Sequence, residues 1–90
     1  MKLLDLGADR ASLEFAPGDQ DLVMGRLGAF GPVTVVRRLD HAVVSVAGQD
    51  FIHMSDWDEP CLIAGTSFGV NMLAKIAAES LASTPRALRR

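Results

Sequence analysis

The connections between residues 33 and 64 constrain this chain more than any other feature. Three runs read as strands, 33–39, 42–47 and 50–54, the first by its β-branched content, and they are separated only by Asp40-His41 and Gly48-Gln49. Two residues close an antiparallel hairpin, whereas a parallel crossover needs about a dozen or more. The segment therefore reads as an antiparallel meander with one richly apolar face, as expected where helices cover one side. A fourth run, Cys61-Leu62-Ile63-Ala64, has no polar face, the pattern of a central strand or of one buried on both sides. Between the third and fourth runs lies Ser55-Asp56-Trp57-Asp58-Glu59-Pro60. This stretch reads as a loop, because proline has no N–H for a ladder and the charges resist burial.

The flanks supply the other elements. Residues 2–6 and 12–15 are two short candidate strands, broken by Gly7-Ala8-Asp9-Arg10, which can pair as a hairpin. Pro17 opens a helix, where its missing N–H costs nothing, and Asp19 and Asp21 complement the positive end of the helix dipole. Leu22, Val23, Leu27 and Phe30 form its apolar stripe, with Met24 at the edge. Gly31-Pro32 stops it. Gly25 and Gly28 leave a small-residue notch, which predicts close packing against the sheet or the other helix, with a partner groove as the alternative. The last helix runs from about residue 68 to 82, with Thr66 or Ser67 as its N-cap. Asn71, Lys75 and Glu79 share its narrow polar stripe, which predicts burial on more than one side. Ser83-Thr84-Pro85 is the expected stop, leaving residues 84–90 as a basic, disordered tail after a single domain spanning 1–83.

The resulting order is β-β-α-β-β-β-β-α. It predicts an α+β two-layer sandwich, with an antiparallel or mixed sheet and two helices on one face.

A 90-residue domain buries only about 60% of its unfolded surface. The apolar content of 49% is high for such a chain and suggests surface covered by a partner or a second copy. A lone cysteine cannot form an internal disulfide, Asp5 interrupts any signal-like apolar start, and no run is long enough to span a membrane. A reducing cytoplasm is the expected location. Residues 1–83 hold six basic and all eleven acidic side chains, a net charge of −5. That balance argues against direct nucleic-acid binding and suits a basic protein partner. Arg37 and Arg38 fall on opposite faces of a strand, so they form no single basic patch.

Catalytic candidates are thin. Cys61 can be paired with His53 or His41 as nucleophile and base, but it lies in an apolar run beside Asp58 and Glu59, which would raise its pKa. His53, Asp56 and Asp58 could hold a divalent ion, yet neither a zinc pair nor a calcium-loop spacing is present. Carboxylate pairs among Asp56, Asp58 and Glu59 would need a pocket. Gly65-Thr66-Ser67 lacks the lysine of a phosphate loop, leaving only an anion at the helix start. No cofactor, metal or catalytic residue is expected.

Trp57 among acidic neighbours carries the binding reading, since tryptophan is enriched at hot spots and carboxylates steer basic partners. The expected partner-binding set is Asp50, Asp56, Trp57, Asp58 and Glu59, with Asp40 and His41 as possible neighbours. The competing reading folds Trp57 back onto the core as a lid. The expected function is a non-catalytic protein-binding module, a small acidic inhibitor of the immunity, antitoxin or anti-CRISPR type. The alternative is a homodimeric accessory or regulatory domain assembled through the apolar C-terminal helix.

Overall fold

The computed structural model describes residues 1–54 and 59–88, and from residue 80 onward the course of the backbone alone. Six strands form one sheet: β1 (Lys2–Gly7), β2 (Arg10–Glu14), β3 (Thr34–Arg37), β4 (Ala42–Val46), β5 (Gln49–Met54) and β6 (Cys61–Ala64). Helices α1 (Gln20–Gly28) and α2 (Ser67–Leu88) complete the expected α+β order. The sheet is antiparallel throughout, with strand order β1-β2-β6-β5-β4-β3.

The last strand joins two local units. β1 and β2 form one hairpin, and β3, β4 and β5 form the meander; β6 pairs with β2 on one side and β5 on the other. It is central, as its lack of a polar face suggested, but it is not buried on both sides. Leu62 and Ala64 are fully enclosed while Cys61 and Ile63 are half-exposed. The β4–β5 turn falls on Ala47 and Gly48, one residue earlier than expected, with φ of 54° and 76°. Positive φ at both central positions is the type I′ geometry, which matches the twist of the flanking strands.

A single core lies between the sheet and the helices. Leu13, Phe15, Val44, Val46, Phe51, Leu62 and Ala64 meet Val23 and Leu27 of α1 and Met72, Leu73, Ile76 and Ala77 of α2. The chain enters α1 through a tighter 3-10 turn at Pro17–Asp19. Leu22, expected in the α1 stripe, is exposed; Met24 and Phe30 are partly buried against the core. Gly25 and Gly28 face open space, so the notch expected to pack closely lies on the solvent side of α1.

Helix α2 also departs from expectation. Gly69, Met72, Leu73, Ile76 and Ala77 form one buried stripe, while Asn71, Lys75, Ala78 and Glu79 are exposed. Over residues 67–79 the helix is therefore buried on one side, not on several. Its backbone continues past Ser83-Thr84-Pro85 to Leu88. Thr66 caps its start: the Thr66 Oγ1 accepts from the Gly69 N–H at 3.0 Å and the same hydroxyl donates to Gln49 Oε1. Gly69 lets the helix approach β6, since a Cβ there would lie 3.2 Å from the Ala64 Cβ. The Arg26 guanidinium, 3.1 Å from Glu79, ties α1 to α2.

Candidate protein-binding face

Alternation along each strand sends successive side chains to opposite sides of the sheet. The helix side takes Leu13, Leu62, Phe51, Val44 and their like. The other side has no helix among the described residues, and the register aligns one row of side chains across it. Leu4 is opposite Ser12, Ser12 opposite Ile63, Ile63 opposite Ile52, Ile52 opposite Val43, and Val43 opposite Val36. Five of these six are apolar. Leu4, Ile63, Ile52 and Val43 are half-buried, Val36 is exposed, and Ser12 is buried between Leu4 and Ile63. Six strands at a spacing of about 4.8 Å make this row roughly 24 Å long. Glu14, Cys61 and Met54 flank it on one side, and Thr34, Ser45 and Asp50 on the other.

The pleat also decides the pairing of Cys61 with His53. Cys61 is opposite Met54, and His53 is opposite Leu62, so Cys61 and His53 project from opposite faces of the sheet. No nucleophile–base contact is possible between them. His53 is 6% exposed and stacks on Phe15 with ring centroids 6.3 Å apart. Desolvation, with the positive Arg37 as a smaller contribution, lowers its pKa and favours the neutral imidazole. His41 lies just before β4, with Nδ1 2.7 Å from Asp40 Oδ1. That hydrogen bond, with the imidazole's charge, holds the exposed Asp40 carboxyl below its ordinary range.

Among the described residues no cluster of His, Cys, Asp or Glu is arranged to hold a metal. Asp56 and Asp58, the expected partners of His53 in such a site, lie outside the described residues. At the start of α2 the Gly69 N–H is already taken up by Thr66. A cleft of about 520 Å³ opens between the β1–β2 hairpin and α2, lined by Leu3, Asp5, Asp9, Arg10, Val70 and Asn71 among others. Its Asp5 carboxylate accepts the Gly7 N–H at 2.8 Å.

The expected partner-binding residues do not form one cluster. Asp50 is near the start of β5, exposed, and accepts a 2.6 Å hydrogen bond from the Ser45 hydroxyl. Glu59 is also exposed but follows the far end of the same strand. Four residue steps of β-strand separate Asp50 from Met54, a rise of about 13 Å. Asp56, Trp57 and Asp58 lie outside the described residues. Sequence reasoning misses the open-face row, although its signal is present. Val43-Val44, Phe51-Ile52 and Leu62-Ile63 are apolar at both parities, a pattern that burial on two sides would equally produce.

No described helix is long and apolar enough to cross a membrane. Comparison with protein-family models, with curated proteins and with solved structures returns no match.

Proposed function

We propose that this chain is a non-catalytic protein-binding module that docks a basic protein against the open face of its sheet. The observation that carries this reading is the row of Leu4, Ile63, Ile52, Val43 and Val36, over which no described helix lies. A contiguous apolar strip rimmed by polar side chains is one form that protein interaction sites take. The net charge of −5 over residues 1–83 favours a basic partner, and Glu14 and Asp50 stand beside the row. A small acidic inhibitor is the biological role that this chemistry suits. The acidic segment with Trp57 follows β5 in the sequence, and its charge suits the same basic partner.

Ile52→Asp tests the face and Trp57→Ala tests the acidic segment. Ile52 is only half-buried, so the aspartate variant should keep its fold by circular dichroism. Each variant should weaken the affinity of a purified partner by about 2 kcal/mol or more if its residue is a hot spot. The partner is first identified by affinity capture with the wild type, and titration calorimetry then compares the three proteins at low and high salt. Equal affinities for Ile52→Asp and wild type would remove the open face from the proposal. A Trp57→Ala variant that unfolds would make Trp57 a core residue.

A further inference from the structure

We infer that β3 pairs with β3 of a second copy, making a two-fold dimer with one continuous antiparallel sheet. This goes beyond the binding role proposed above, and neither depends on the other. The two edges of the sheet differ. β1 is blunted: its register slips between Asp5 and Gly7, Gly7 has φ of 80°, and the Asp5 carboxylate takes the Gly7 N–H. A bulge and a charged side chain turned onto the backbone are ways in which edge strands resist pairing. β3 has no bulge and no side chain turned onto its backbone, and is protected only by its length of four residues and by Arg37. Its register with β4 is regular over Thr34, Val35, Val36 and Arg37, and all four residues are exposed. Val35 and Val36 are each 43% exposed although they project from opposite faces.

The free backbone groups can be assigned. The Arg38 N–H donates to the His41 carbonyl at 2.7 Å. Alternation along an antiparallel ladder then turns Val36 and Thr34 toward β4, and turns the N–H and C=O of Val35 and Arg37 outward. Among the described residues no strand lies beyond β3.

A second copy fits this edge in one register. With Val36 on the two-fold axis, Val35 of each chain is opposite Arg37 of the other. Every outward N–H and C=O of the strand is then paired. The same register sets the two Val36 side chains against each other on the open face. The row Leu4, Ser12, Ile63, Ile52, Val43, Val36 thus continues without a step into the row of the second copy. On the helix face the aliphatic stem of Arg37 covers the exposed Val35 of the other chain. The antiparallel arrangement keeps like charges apart. From strand rise and spacing, the two Arg37 Cα atoms are about 8 Å apart, and each is opposite a valine. A parallel-strand neighbour would stack the arginines side by side. An edge of this length buries less than the roughly 1,200 Å² of a tight complex, so the dimer is weak and concentration-dependent.

Sedimentation equilibrium from about 10 μM to about 1 mM, concentrations high enough to populate a weak dimer, is the first measurement. The mass should rise from one chain toward two. Val35→Pro removes an outward N–H that the monomer does not use, and proline is tolerated on an edge in that position. It should abolish the rise while circular dichroism stays unchanged. The register is tested by oxidation in a Cys61→Ser background. The Val36→Cys variant brings two thiols together at a Cα separation of about 4.5 Å, within disulfide range, and should cross-link. The Val35→Cys variant holds them about 8 Å apart and should not. A wild type that stays monomeric throughout would overturn the inference. So would a dimer indifferent to Val35→Pro, or a Val35→Cys variant that cross-links where Val36→Cys does not. The two cysteine variants decide the matter even if the proline variant fails to fold.

Discussion

At the scale of single residues, two helical glycines have opposite roles. Gly69 is where α2 comes closest to the sheet, with Ala64 Cβ and Thr66 Oγ1 both 3.2 Å from the place of a Cβ. Neither neighbour can yield, since Ala64 is on a central strand and Thr66 holds the cap. Gly69→Ala should therefore destabilise by about 1–2 kcal/mol despite its gain in helix propensity. Gly25 faces open space, and Gly25→Ala should stabilise by up to about 1 kcal/mol. Chemical denaturation of the two variants checks both signs. His53 gives the fold a pH dependence. Its folded pKa lies below the ordinary value of 6.5, because the imidazole is enclosed and near Arg37. Above that value the imidazole is neutral whether the chain is folded or not. Below it the unfolded chain takes up a proton that the folded chain resists, so stability falls as pH drops until the folded pKa is passed. Melting temperatures from pH 7.5 down to about 5.5 should fall more steeply for wild type than for His53→Gln. Parallel slopes would assign the acid sensitivity to other groups.

At the scale of elements, β6 shows what a strand's neighbours do to its residues. Leu62 and Ile63 are adjacent and equally apolar, yet one is enclosed by the helices and the other lies on the open face. Leu62→Ala should cost about 2–5 kcal/mol, through lost transfer energy and a cavity. Ile63→Ala should cost markedly less, roughly 1 kcal/mol, because it removes half-exposed surface and leaves no void. Equal losses in urea titrations would mean that the open face is covered in solution. The meander, the first hairpin and both helices are readable in the sequence, because their signals are local: β-branched runs, two-residue connections, Pro17, and the Gly31-Pro32 stop. The exposed side of α2 is not. Its sequence of small and apolar residues is compatible with one buried stripe or several, and only the position of α1 and the sheet selects among them. The candidate site is legible in part. Exposure of Asp50 and Glu59 follows from their charge, but their separation along β5 follows from pairing.

At the scale of the whole molecule, the sheet has, among the described residues, one covered face, one open face and two unlike edges. The covered face supplies the core. The open face supports the binding role, and the β3 edge supports self-association. By itself the sequence determined the α+β class, the order of elements, the antiparallel meander and the acidic body. These follow from residue chemistry and from connections too short to allow anything else. Only the tertiary structure decided that β6 inserts between β2 and β5, and that Cys61 and His53 point apart. It also decided that Leu4, Ile63, Ile52, Val43 and Val36 stand in one row. Those facts depend on register between strands distant in the chain. Register is set by which side chains the helices enclose, and no local pattern records it.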